Sequence, residues 1–252
     1  MKNQLPVTLG GLAVLAGVVS VGAQDSSPLF KVGSVEVRPR LAYSLTYDDN
    51  IFLDHKDKNV VGRGAPGRDH DFLHTITPGL RLNAGDVAVR QSAYFDANYQ
   101  VGFQRFMDNT SANAYNQDAS VILGGKLNRL SLSAKQMFVS ASDADIPNLA
   151  ANGRVKRNFW TTEAEAKYEV SEKTTTSLEL AQIISDYKTP LVDAADRSAA
   201  VWCDYEVLPK VKAGFGGTVG YLQVDGSALN HNPNSAYYRG QLRMEWQATE
   251  KV

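Results

Sequence analysis

Val35-Glu36-Val37-Arg38-Pro39-Arg40-Leu41-Ala42-Tyr43-Ser44-Leu45-Thr46-Tyr47 decides the fold of this chain. Val35, Val37, Pro39, Leu41, Tyr43, Leu45 and Tyr47 hold one parity, and Glu36, Arg38, Arg40, Ala42, Ser44 and Thr46 hold the other. A β-strand sends alternate side chains to opposite faces, so this segment has one greasy face and one wet face. The pattern recurs along the chain and predicts strands near 35–47, 70–83, 86–106, 114–127, 129–141, 155–170, 173–186, 197–208, 210–224 and 235–248.

The third segment sets Val87, Val89, Ala93, Phe95, Ala97, Tyr99, Val101 and Phe103 against Arg90, Ser92, Asp96, Asn98, Gln100 and Gln104. The sixth sets Trp160, Ala164, Ala166 and Tyr168 against Glu163, Glu165 and Lys167. The eighth sets Ala199, Val201, Cys203 and Tyr205 against Asp204 and Glu206, and the tenth sets Tyr238, Leu242, Met244 and Trp246 against Arg239, Arg243 and Glu245. The seventh loses phase at Ile183-Ile184, which predicts a bulge. In the fifth, polar Gln136 falls on the apolar parity.

Connections alternate in length. Short turns are expected at 83–86, 127–129, 171–173 and 208–210. Long ones, rich in Asp, Asn, Gly, Ser and Pro, fall at 48–69, 107–113, 142–154, 187–196 and 225–234. Two-faced strands with short turns at one end and long loops at the other predict an all-β, antiparallel, up-and-down transmembrane β-barrel of about ten strands. A soluble β-sandwich would show shorter strands and less regular loop alternation. A tilted spanning strand needs about 9–11 residues, so the longest of these would project beyond the bilayer. Aromatics gather toward strand ends (Tyr43, Tyr47, Phe72, Tyr99, Phe103, Trp160, Tyr168, Tyr205, Tyr221, Tyr237, Tyr238), as interfacial girdles would require.

The amino terminus agrees with export. Lys2 precedes a nearly uncharged apolar run over 5–22, and Val21-Gly22-Ala23 fits the small-x-small rule, so cleavage after Ala23 is expected. The organisation read here is a signal peptide over 1–23, a short periplasmic segment over 24–34 and the barrel over 35–252. Removing Lys2 from the 26 basic residues leaves the 27 acidic ones in slight excess, with no basic stripe for nucleic acid. Cys203 is the single cysteine, so intramolecular disulfides and thiolate clusters are excluded.

Val37-Arg38-Pro39-Arg40-Leu41, Tyr47-Asp48-Asp49-Asn50-Ile51-Phe52, Asp71-Phe72 and Thr77-Pro78-Gly79-Leu80 resemble the opening strands of the outer-membrane β-barrel porin 2 family. The resemblance covers about 35–140. It implies a Gram-negative outer-membrane barrel, with exopolysaccharide export or surface display as associated roles. The carboxyl end departs from it. Trp246-Gln247-Ala248-Thr249-Glu250-Lys251-Val252 matches Tyr168-Glu169-Val170-Ser171-Glu172-Lys173-Thr174, where a turn leads into a further strand. The expectation is a chain that stops short of a larger barrel, with a closed ten-stranded barrel as the alternative.

Water-facing candidates are Arg38, Arg40, Arg90, Asp96, Lys126, Lys135, Glu163, Glu165, Lys167, Glu179, Asp204, Glu206, Lys212, Arg239, Arg243 and Glu245. Lipid-facing candidates are Leu41, Tyr43, Phe95, Tyr99, Val101, Trp160, Val201, Phe215, Leu242 and Trp246. Charges lining a wide barrel bias ion passage, whereas in a narrow one they pair and plug it. Asp48, Asp49, Asn50, Asp54 and Asp57 lack the Gly and Glu positions of an EF-hand loop, and read as turn formers. His70 and His74, four apart on a strand, are separated by about 13 Å, too far to share a metal. Ser140 and Ser142 carry no Gly-x-Ser-x-Gly elbow. No enzyme, metal or cofactor is therefore expected. The expected partners are outer-membrane lipid, the barrel-assembly machinery and either polysaccharide or small solutes. The leading reading is a porin-like conduit for passive diffusion or exopolysaccharide export. A non-conducting barrel displaying loops, and a soluble secreted β-protein, are its rivals.

Overall fold

The computed structural model describes residues 30–49, 51, 70–85, 93–143, 155–187, 193–225 and 234–246. They form one eleven-stranded antiparallel sheet in strict sequence order. The strands are β1 (Phe30–Val32), β2 (Val35–Asp48), β3 (Asp71–Ala84), β4 (Tyr94–Phe106), β5 (Ala114–Leu127), β6 (Leu130–Asp143), β7 (Val155–Glu169), β8 (Thr174–Tyr187), β9 (Ala194–Leu208), β10 (Val211–Val224) and β11 (Ser235–Trp246). Each main strand therefore has 12 to 15 residues, enough to cross a bilayer at a tilt. The sheet is open, with β1–β2 at one edge and β11 at the other, so the closed ten-stranded alternative is not the form observed.

Four expectations are corrected. An extra strand, β1, lies inside the 24–34 segment and pairs with Val35–Val37 through a turn at Gly33, whose φ of 65° suits glycine. The third predicted strand is observed from Tyr94 rather than from 86, and Arg90 and its neighbours over 86–92 lie outside the described residues. Asn83 and Ala84 pair with Asp96 and Phe95, so the chain does not turn back at 83–86 as expected. Gly85, with φ 75°, sits so close to the Ala93 carbonyl that a Cβ would stand 2.4 Å from it. Finally, β8 has no bulge at Ile183-Ile184. Its pairing with β7 and β9 runs without interruption, and Ile183 lies opposite Thr161 and Asp196 as an apolar guest on the polar face. The register shift in this half falls instead at Val211/Lys212, beside the Pro209 turn.

The remaining short turns follow local chemistry. Asn128 takes φ 52° in the two-residue turn between Leu127 and Leu130, a conformation asparagine tolerates. Ser171 Oγ accepts the backbone N–H groups of Lys173 and Thr174 to tie β7 to β8. These turns lie at one end of the sheet, together with the longer connection from β3 to β4, and the other connections lie at the opposite end.

A single sheet layer has little interior. Among the described residues, the buried apolar side chains are Ile51, Tyr94, Phe106, Ala112 and Trp202. Large apolar side chains elsewhere stand open: Leu242 is 88% exposed, Phe215 63% and Val201 58%. Monomeric soluble proteins rarely expose a continuous apolar sheet face.

Candidate functional site

Antiparallel register settles which side chains share a face, because residues directly opposite point the same way. Tracing the register from β2 to β11 places Arg38, Arg40, Asp96, Lys126, Lys135, Glu163, Glu165, Lys167, Glu179, Asp204, Glu206, Lys212, Arg239, Arg243 and Glu245 on one face. Leu41, Tyr43, Phe95, Tyr99, Val101, Trp160, Val201, Phe215, Leu242 and Trp246 all lie on the other. Most of the aromatic set follows: Tyr47 stacks on Phe72 at 5.2 Å, and Phe138 on Trp160 at 5.3 Å, near the loop end of the apolar face. Tyr168, Tyr205 and Trp246 lie near its turn end. Tyr237 is the correction. It lies on the polar face above Gly220 and donates to Asp196 Oδ1 at 3.0 Å.

The polar face is organised in three stretches. On β1 to β4, Glu36 accepts from Lys31 at 3.2 Å and Arg38 at 3.1 Å, and Asp96 from Arg81 at 2.8 Å and Asn83 at 3.1 Å. On β5 to β8, Lys126 reaches over β6 to Glu169 at 2.6 Å, and Lys135 meets Glu163 at 3.4 Å. Glu165 and Glu179 stand directly opposite each other with no ion pair among the described residues. They line a recess of about 500 Å³ with Tyr94, Ile122, Lys135 and Glu163.

On β9 to β11 the side chains bridge across the intervening strand. Arg243 of β11 donates through Nε to Asp204 of β9 at 2.7 Å and stacks 4.2 Å over the Trp202 ring. Both contacts cross β10 at Gly214 and Gly216, where a Cβ would stand 2.1 Å from Asp204 Oδ1 and 2.4 Å from the Trp202 ring. Glycine there is a spatial requirement, which period-2 reading of the sequence treats as a mere gap.

The loop end of the polar face holds a second arrangement missed in the sequence. Asp71, 1% exposed, accepts the backbone N–H groups of Phe72, Met107, Asp108 and Asn109 and the Asn109 side chain, at 2.6 to 3.2 Å. Ile51, Leu73, Phe106 and Ala112 pack together beside it. The carboxylate pins the 107–113 connection over the strand ends. An Asp preceding an aromatic strand start was the available signal, but its donors come from about 37 residues away.

The remaining candidates have local roles. His74 Nδ1 pairs with Tyr43 Oη at 2.7 Å, and His70 lies 6.1 Å from the Tyr47 ring. Ser140 is buried on the apolar face without a hydrogen-bond partner, and the Ser142 N–H donates to Asn116. Asn50, Asp54 and Asp57 lie outside the described residues. Comparison of the chain with protein-family models, with curated proteins and with solved structures gives no match.

Proposed function

We propose that this chain is the wall of a porin-like conduit in a Gram-negative outer membrane, through which ions and small polar solutes diffuse passively. One observation carries the proposal. Ten successive strands keep every described charged candidate on one face and leave the other largely apolar and uncovered, with rings near both of its ends and its own charges, Arg105, Lys156, Asp186 and Arg197, toward the loops. Hydrocarbon fits that face, and water fits the other. The exported leader expected from the sequence and the resemblance of the opening strands point to the same membrane.

The ion pairs between described residues run along the wall. They join strands no more than two apart: β1–β2, β3–β4, β5–β7, β6–β7 and β9–β11. Arginines crowd β2, β3 and β11, whereas Glu163, Glu165 and Glu179 occupy β7 and β8. A solute passing between them would meet a basic wall and an acidic one, the device by which charged rings select ions.

Planar-bilayer recording tests this reading. Purified folded protein should produce stepwise current increments. Folded, membrane-inserted protein without current would replace the conduit with a surface scaffold that displays its loops. Recovery from cells without detergent would end the membrane reading altogether.

A further inference from the structure

The apolar face carries charge at one end only. The strand ends step steadily across the sheet. Ser235, the first residue of β11, lies in the row of Arg38 on β2, ten residues short of Asp48, where β2 ends. Ten residues of rise against nine strand spacings is a slope of about 37°, within the tilt of membrane-spanning strands. In a bilayer the loop ends of the strands therefore stand at one level. Arg105, Lys156 and Asp186 lie one residue inside that level, and Arg197 lies three inside it. The turn ends of the same face carry no charged side chain among the described strand residues.

Two of the three cations come together. Lys156 of β7 reaches across β6 and sets its Nζ 4.8 Å over the Tyr115 ring of β5. Tyr115 lies directly opposite Phe103, and Arg105 is the next residue of β4 on the same face. Arg105 is thus the diagonal neighbour of Tyr115, about 7–8 Å away between backbones. By this reach Lys156 turns away from Asp186, the single carboxylate on this face of the described strands, which accepts from the Asn158 amide at 3.4 Å. Neither Arg105 nor Lys156 makes an ion pair among the described residues. Two cations held this close beside hydrocarbon repel each other with little water to screen them, and an anion between them reverses the sign.

We propose that Arg105 and Lys156 seat a phosphate of an outer-leaflet glycolipid, whose acyl chains run down the apolar face below them. The proposal rests on the outer-membrane reading above. Long loops mark the outer side of such a membrane, and its outer leaflet is built from phosphorylated glycolipid. Phosphate suits both donors: a guanidinium forks onto two of its oxygens, and an ammonium acts as a point charge. Ile76, Val101 and Phe103, next below on β3 and β4, present hydrocarbon to the acyl chains. Charge is what selects this occupant, since a zwitterionic headgroup brings its own cation to a site that already holds two. Arg197 is an internal comparison. Its guanidinium donates to Gln223 Oε1 at 3.4 Å, and no second cation faces it from β8 or β10 among the described strand residues.

Lipid titration of the full-length chain, folded in detergent and freed of bound lipid, tests the proposal. The probe is lipid A with both phosphates, set against the same lipid with its phosphates removed, and bound lipid is counted by native mass spectrometry. The phosphorylated form should bind at least about tenfold more tightly, as charge-assisted contacts imply. Arg105→Gln with Lys156→Gln should remove that preference while heat-modifiable gel mobility shows the protein folded. Arg197→Gln, on the same face, should keep it. Equal binding of the two lipids, a preference that survives the double change, an equal loss in Arg197→Gln, or full displacement by millimolar inorganic phosphate would overturn the proposal. Membrane-embedded protein without the preference removes the lipid seat and leaves the conduit standing. A chain that leaves the membrane with carbonate or urea removes both.

Discussion

The two faces of this sheet are made by the same strands yet obey different rules. On the apolar face, side chains stand outward and stay exposed, and few of them depend on a particular neighbour. On the polar face, side chains lie down. Trp202 covers Gly216, Tyr94 covers Gly124, and Arg243 reaches over Gly214 to Asp204. The first face is specified by solvent, and the second by space. A one-layer sheet has no second layer to bury against, so the burial it achieves comes from its own side chains folded onto glycine and from the connection pinned by Asp71.

The difference can be broken from either side. The largest effect is expected where solvent rules. Val201→Arg places a cation in the central part of the apolar face and should destabilise the folded protein by roughly 2–4 kcal/mol, read from urea unfolding in lipid vesicles. Val201→Ala, which respects the solvent, should cost far less. Equal losses for the two variants would show that packing, not hydrocarbon, specifies this face.

On the polar face the sensitive positions are those that lack a side chain. Gly216→Val sets methyl groups where the Trp202 ring already lies, since even a Cβ there would stand 2.4 Å from Cε3. Overpacking of this kind costs about 1–3 kcal/mol, and the same unfolding assay measures it. The Trp202 fluorescence should also report a more exposed ring, a signal that needs the other tryptophans, Trp160 and Trp246, replaced by Phe. Gly217→Val, on the apolar face of the same strand with only the Arg239 carbonyl at 3.6 Å, is the control and should be tolerated.

The apolar face was legible from the sequence, and much of the polar face was not. Period-2 alternation depends on each strand alone, so Leu41, Phe95, Val201 and Leu242 could be assigned without knowing any neighbour. Even Gln136, the residue that disturbed the pattern, lies on the apolar face where parity put it. The contacts of the polar face need three strands at once. Nothing local to Asp204 names Arg243, 39 residues away, and nothing near Gly214 says that the two meet above it. Tyr237 shares the parity of Arg239 and Arg243, so its face was legible; the vacancy over Gly220 that receives its ring belongs to another strand and was not. The bulge expected at Ile183-Ile184 failed differently. One apolar residue on a polar face costs less than a broken ladder, so the strand keeps its register. The segment carrying Arg90 lies outside the described residues.

A smaller loss is expected where a carboxylate replaces a core. Asp71→Asn keeps the size of the side chain but halves its capacity to accept, leaving some of the N–H groups of Met107, Asp108 and Asn109 without a partner. The cost should be about 1–2 kcal/mol. It should also be local: hydrogen exchange should accelerate over 107–113 and leave β9 to β11 unchanged. Acceleration across the whole sheet would mean that the loop-end cluster and the glycine-floored bridges form one unit.

The smallest structural effect should carry the largest functional one. Glu165 and Glu179 are directly opposed like charges, an arrangement that disfavours folding by a few tenths of a kcal/mol up to about 1. Glu165→Gln should therefore leave stability equal or slightly raised. If the polar face lines a conduit, the same change removes one of three glutamates from the acidic wall beside Lys135. The reversal potential in a salt gradient should then move toward anion preference, and Glu165→Gln with Glu179→Gln should move it further. Stability gained without any change in reversal potential would confine this recess to a structural role, and would place the selecting charges among the arginines of β2 and β11.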